Sequence, residues 1–265
     1  MKSNLRRYAA AFLTAIGFAM PASATSFGTD YTDLWFNPAE SGWGVNVIQQ
    51  SGTLFATLFV YGADNTPRWY VASDLRGGQN SFTGLLYQTF GPAFSATWTG
   101  SATVTQVGSM TFTFSSFSTG TLSYTVNGVT VNKAIQRQTF AGNNMAGNYI
   151  GGMTAVASSC ASSADNGFAL ITGLLTVAHG SGNPSMRVDF RNNAGVSAQC
   201  TFTGPYSAAG RLASITGTFT CTLGSNGTFT MTEVDVSRNG FTAAFTGRDQ
   251  FCTYNGFFGG IRDVI

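Results

Sequence analysis

Charge is scarce in this chain: Asp, Glu, Lys and Arg make up 9% of its 265 residues, against about 25% in an ordinary globular protein. No cluster of Lys and Arg follows residue 7, which excludes the phosphate-neutralising surface that nucleic acid binding requires. There is one histidine, His179, in a segment that reads as a turn, so neither a histidine zinc site nor a Ser-His-Asp triad is expected. The four cysteines are spaced by 40, 21 and 31 residues and contain no Cys-x-x-Cys knuckle, which argues against zinc. Beyond residue 20 no apolar run approaches the roughly 20 residues of a membrane helix, and no stretch carries the 3.6-residue period of an amphipathic helix. No cofactor signature is found.

What the chain has instead is Gly, Ser, Thr and aromatics, with 33 Gly and 23 Phe. Abundant Thr and Phe with little charge suits pleated sheets with hydroxyl-covered outer faces. The first residues read as a secretory signal peptide. Lys2, Arg6 and Arg7 precede an uncharged stretch from Ala9 to Met20, and Ala22-Ser23-Ala24 forms a small-x-small cleavage site. Without residues 1–24, ten Lys and Arg stand against eleven Asp and Glu, a formal charge of −1. A periplasmic or secreted location follows, and with it paired cysteines.

Alternating runs separated by Gly, Asn, Asp and Pro recur to the end of the chain, so the expected class is all-β. Met186 to Arg191 alternates apolar and charged residues, and Asn226-Gly227 and Asn239-Gly240 mark hairpin turns. The segment 141–146 lacks alternation and reads as a linker between an N-terminal β-domain, 25–140, and a C-terminal β-domain, 147–265, that holds all four cysteines. Each offers about eight strand-like runs. In the first domain they start near Leu34, Gly42, Leu54, Arg68, Phe82, Ala96, Met110 and Leu122. In the second they start near Gly147, Phe168, Met186, Ser197, Leu212, Thr228, Phe241 and Cys252. Two antiparallel meanders, each closed into a small barrel, are expected, with a β-sandwich as the alternative. Of the three connectivities open to four cysteines, Cys200 with Cys221 and Cys160 with Cys252 is preferred. The first would join neighbouring strands, and the second would tie an early loop to the last strand.

The densest run of unusual residues is Asp33 to Gln50, with Asn37-Pro38-Ala39-Glu40-Ser41-Gly42-Trp43-Gly44 at its centre, followed by the aromatic hairpin Thr53 to Tyr61 and by Pro67-Arg68-Trp69-Tyr70. Over residues 31–73 the chain resembles a Trp-rich β-module of exported bacterial proteins of uncharacterised function. The resemblance implies export and a β-fold and carries no activity. Read physically, Trp35, Trp43 and Trp69 either plug a barrel end or line a ligand pocket. The pocket reading takes Trp35, Trp43, Trp69 and Tyr70 as aromatic walls and Asn46, Gln49 and Arg68 as polar contacts. Glu40 is expected to organise a turn and to pair with Arg68. Strand Leu54 to Tyr61 is apolar on both faces, which calls for cover by the other domain or a second chain.

The leading reading is therefore a non-enzymatic exported barrel protein that binds a small molecule, a glycan or another protein, and that forms a homo-oligomer if a second chain supplies the cover. One rival is a secreted polysaccharide hydrolase acting through Glu40, or through Glu233 and Asp235 on one strand face. The other is an outer-membrane barrel, disfavoured by the cysteines and by the absence of a terminal aromatic. Amino-terminal sequencing of exported material should begin at Thr25; a retained Lys2 would remove both the export and the disulfide arguments.

Overall fold

A computed structural model describes residues 28–98, 100, 102–180, 182–191 and 197–263; the signal peptide expected over 1–24 lies outside them. The chain forms two closed eight-stranded antiparallel barrels in succession. The first runs β1 (Asp33–Phe36), β2 (Gly44–Gln50), β3 (Thr53–Tyr61), β4 (Pro67–Gly78), β5 (Ser81–Phe90), β6 (Thr103–Phe114), β7 (Thr119–Val126) and β8 (Val129–Arg137). Each strand pairs with the next, and β8 returns to β1. The second comprises β9 (Gly147–Ser158), β10 (Gly167–His179), β11 (Pro184–Arg191), β12 (Ser197–Thr203), β13 (Tyr206–Ala209), β14 (Leu212–Cys221), β15 (Asn226–Ser237), β16 (Gly240–Asp249) and β17 (Thr253–Arg262). The short β12 and β13 lie end to end along β14 and count as one stave. The ring then closes between its first and last strands, β9 and β17.

Alternation decides which side chains fill the barrels. In β3, Leu54, Ala56 and Leu58 point inward and are fully buried, while Phe55, Phe59 and Tyr61 point out. The second barrel is packed around Phe202, Phe245 and Phe258, whose rings meet edge to face or tilted. All eight strand starts expected in the second domain fall within three residues of an observed strand. In the first, the run expected near Ala96 is a loop. Gly91, Pro92 and Gly100 leave no room for a strand there, and Ala96 N–H closes a turn onto Ala93. The missing stave is β8, entered through the turn at Asn127-Gly128, both at positive φ.

The two barrels close differently. In the first, β1 and β8 share only the pairs Trp35↔Arg137 and Phe36↔Gln136. Here the buried Arg137 guanidinium acts as a clamp, donating to the carbonyls of Asp30, Thr32 and Phe117 and to Asp33 Oδ2 at 2.9 Å. It lies over the Trp35 ring at 4.9 Å. In the second barrel the β9–β17 seam is long, and the Cys160–Cys252 disulfide staples it just beyond the Ser158↔Thr253 pair. Cys200 and Cys221 are bridged across directly paired residues of β12 and β14. Both bridges follow the preferred pairing, and they mark an extracytoplasmic protein, since cytosolic thiols are kept reduced.

Beside the staple, the buried Asp249 carboxylate receives hydrogen bonds from the N–H groups of Phe251 and Cys252 and from the hydroxyls of Ser225 and Tyr254. Burial alone would raise its pKa, but these donors outweigh burial and leave it below the ordinary Asp value. Burial and the same carboxylate push the Tyr254 hydroxyl up to about 12. A depressed native pKa stabilises the fold in full above the unfolded value, about 3.9, and the contribution is lost as pH falls through the native value. Asp249→Asn should therefore cost about 2–3 kcal/mol at pH 7 and flatten the loss of stability on acidification, as read by denaturant unfolding at pH 7 and pH 3.

Candidate functional site

The residues expected to line one aromatic pocket are distributed over three places. Trp35 is wholly buried at the Arg137 end of the first barrel, its Nε1 donating to Tyr31 O at 3.0 Å. Tyr31 stacks on Phe114 at 3.7 Å and is tied down by Gln49, whose Oε1 accepts its N–H. Trp35 is thus a plug, and Gln49 holds that plug.

At the opposite end of the same barrel Tyr70 and Tyr124 face inward, with half-buried Trp43 packed against the core. Glu40 sits beside them, accepting from Lys133 Nζ at 2.6 Å and from Trp43 Nε1 at 3.0 Å. These two donors, Lys133 first, hold its carboxyl below the usual Glu range. Burial raises the Tyr124 hydroxyl, and the Glu40 charge adds to the effect. The expected Glu40–Arg68 pair is not formed. Arg68 lies at the start of β4 and pairs with Asp64 of the β3–β4 turn at 2.7 Å, because an i,i+4 carboxylate in the adjoining turn is nearer than one across the barrel mouth.

Trp69 and Asn46 are in the third place, the outer wall. Trp69 stands opposite Phe59 and is 51% exposed. No covering chain lies over the outward residues of strand Leu54 to Tyr61 among the described residues.

The hydrolase residues are also separated by the fold. Glu233 and Asp235 do not share one uninterrupted strand face, because β15 bulges between Thr232 and Asp235 with Glu233 at φ +54°. Glu233 accepts from Thr29, and Asp235 is paired with Arg211 at 2.9 Å. His179 closes β10 rather than sitting in a turn. Its Nδ1 accepts the Met145 N–H at 3.0 Å, and burial lowers its pKa. A nitrogen committed in that way, on a ring packed against Tyr206, is not offered to a substrate. Among the described residues no group of three or more His, Cys, Asp or Glu side chains converges as a metal site.

A concave feature of ligand size lies outside the second barrel, over its closing seam. Along β9 and β17 the outward rows pair Ile150 with Ile261, Gly152 with Gly259, and Thr154 with Phe257. The middle row therefore has no side chains. It is continued by Thr172 on β10, Thr242 on β16 and Asp235 on β15. The result is a trench of about 870 Å³ with Ile150 and Ile261 on one wall, Phe257 on the other, and Asp235, Ser237 and Asn239 at one end. Glycine is required on its floor. A Cβ at Gly152, where φ is +149°, would lie 2.0 Å from Ile171 O, and one at Gly259 would lie 2.4 Å from Phe241 O. Five neighbouring strands about 4.8 Å apart give a trench on the order of 19 Å long. The sequence does carry a signal for it: the doublets Gly151-Gly152 and Gly259-Gly260, each beside an isoleucine in a strand-like run.

Truncation should separate the three tryptophans. Trp35→Ala should cost about 3–5 kcal/mol in denaturant unfolding, as for other buried aromatics. Trp43→Ala should cost less, and Trp69→Ala should fall within about 0.5 kcal/mol of wild type, as exposed substitutions do. Equal losses at all three would contradict the placement.

No family model matches the chain, and no curated protein matches it. Among solved structures it is similar to a putative outer membrane protein from Bacteroides fragilis, with 11% identity over 88% of this chain and 97% of that one and a TM-score of 0.25. That superposition is too loose to carry a functional reading, and the chain stands as an extracytoplasmic double β-barrel protein.

Proposed function

We propose that the protein is a binding module, periplasmic or secreted, that holds an uncharged amphiphile in the trench on its second barrel. The observation that carries this reading is the side-chain-free row Gly152–Gly259 between apolar walls, closed at one end by polar groups. Pockets for small molecules are concave, mostly apolar, and oriented by a few polar contacts. Asp235 is the one charged residue of the lining and is already engaged by Arg211, so the site offers no unpaired charge to a charged head group. A narrow apolar body along the glycine row, with a hydroxyl or amide beside Ser237 and Asn239, satisfies every group present.

Two observations favour binding over the rival readings. Glu233 and Asp235 are committed to Thr29 and Arg211, so this pair is not free to flank a glycosidic bond. The outer faces of β6 and β7 carry Thr and Ser at positions such as Ser109, Thr111, Thr113, Thr121 and Thr125. A barrel surrounded by lipid needs an apolar band all round, so these hydroxyls suit an aqueous compartment. The resemblance over residues 31–73 is consistent with membership of a group of exported bacterial proteins.

Displacement of a neutral, polarity-sensitive dye tests the proposal. A long-chain alcohol or monoacylglycerol should displace the dye, and the carboxylate of equal chain length should bind about ten-fold more weakly or less, since its charge must be desolvated without a partner. Thr154→Trp, at an exposed position on the trench wall, should abolish dye binding in a protein that melts as wild type does. Unchanged binding in Thr154→Trp, or no response to neutral amphiphiles, would refute the trench as the site.

A further inference from the structure

The outer wall of the first barrel carries a second, independent feature. Ile48, Phe55, Phe59, Tyr61, Trp69 and Leu85 all project outward from the consecutive strands β2 to β5, and all are exposed. Register makes them one surface: Ile48 stands opposite Phe55, and Phe59 opposite Trp69. None of them fills the core, which is built by the inward residues of the same strands. A buried aromatic covers about 150–250 Å², so six large side chains left about half open expose on the order of 500–600 Å². That is at the top of the range for the largest apolar patch of a monomer, and patches of that size are often functional. With the intervening Asn46, Thr57 and Val71, the area approaches the roughly 800 Å² per partner of a standard interface.

We infer that this face is covered by a second copy of the chain, in a two-fold dimer that packs β2–β5 against β2–β5. The charge pattern favours self-association. The charges on and around the face come as two ready-made pairs at 2.7 Å, Asp64–Arg68 at its margin and Asp74–Arg76 at the β4 bulge between Phe55 and Leu85. Two copies related by a two-fold axis therefore bury no unpaired charge, because each charge on the face brings its own partner. A membrane surface would call for unpaired Lys or Arg at the rim, and Arg68 and Arg76 are both neutralised.

Sedimentation velocity of the mature protein tests this. A dimer is expected at a loading of about 50 μM, for a Kd on the order of micromolar. Phe59→Glu combined with Trp69→Glu should give a monomer at the same loading, while Thr121→Glu on the hydroxylated half should leave the dimer intact. Should the double variant unfold, Phe59→Ser alone reads the same weakening as a rise in Kd of ten-fold or more. A wild type that is monomeric at this loading overturns the inference, whether or not it is retained by anionic vesicles or by insoluble glycan. A dimer that Thr121→Glu dissociates and the Phe59 variants leave unchanged also overturns it.

Discussion

One ion pair, Arg137 with Asp33, closes the first barrel and docks the second. β1 and β8 meet over only two residue pairs, too few ladder bonds to hold an eight-stranded ring shut, and Arg137 supplies the missing contacts with its side chain. A buried charge is stabilising only where its donors are satisfied, and here three carbonyls and the Asp33 carboxylate satisfy them. That same carboxylate also accepts the backbone N–H of Arg211 at 2.9 Å, in the β13–β14 turn of the second barrel. Gly210 beside it is at φ +62°, and a Cβ there would lie 2.1 Å from Asp33 Oδ2. Arg211 then reaches Asp30 and Asp235. Barrel closure, the Tyr31–Trp35 plug and the junction between barrels thus share one set of hydrogen bonds, and disturbing Asp33 disturbs all three.

The second barrel meets the closure problem with covalent and steric means. Its first and last strands pair over ten residues, with a disulfide at one end of the seam and close-packed glycines toward the other. Glycine lets two strands bend sharply at a barrel corner, and where it faces outward it also removes the side chain that would fill the surface. The trench is therefore a direct product of how the ring closes. Its polar end abuts the junction, because Asp235 belongs both to the trench and to the Arg211 network. Occupancy of the trench is thereby placed within one ion pair of the contact between the barrels.

Much of this was legible in the sequence, for identifiable reasons. The all-β class, the eight second-domain strand starts and the cysteine pairing rest on period-2 alternation, turn residues and strand neighbourhood, all of which are local. What failed was non-local. β8 has Lys133 and Arg137 at inward positions, which spoils the alternation that identifies a strand, yet those two residues seal the two ends of the barrel. Glu40 was assigned to Arg68 by hairpin proximity, and its partner came from a strand 93 residues away. The aromatic module was read as one cluster because its tryptophans are close in sequence. Alternation and strand direction sent Trp35 to one end, Trp43 to the other and Trp69 outside.

The outer surfaces argue that the barrels do more than fold. A barrel of this size is stabilised from within, and both interiors are filled by inward Leu, Phe, Met and Val. Outward positions are free to be polar, and on β6, β7, β12 and β14 they are mostly Thr and Ser. On β2 to β5 and on β9, β10 and β17 they are instead Ile, Leu, Phe and Trp. An outward apolar side chain adds nothing to the core and lowers solubility in water. The same alternation supplies both surfaces, so folding alone does not distinguish them. The division of each barrel into a hydroxylated half and an apolar half is therefore not required by the packing of the barrels themselves.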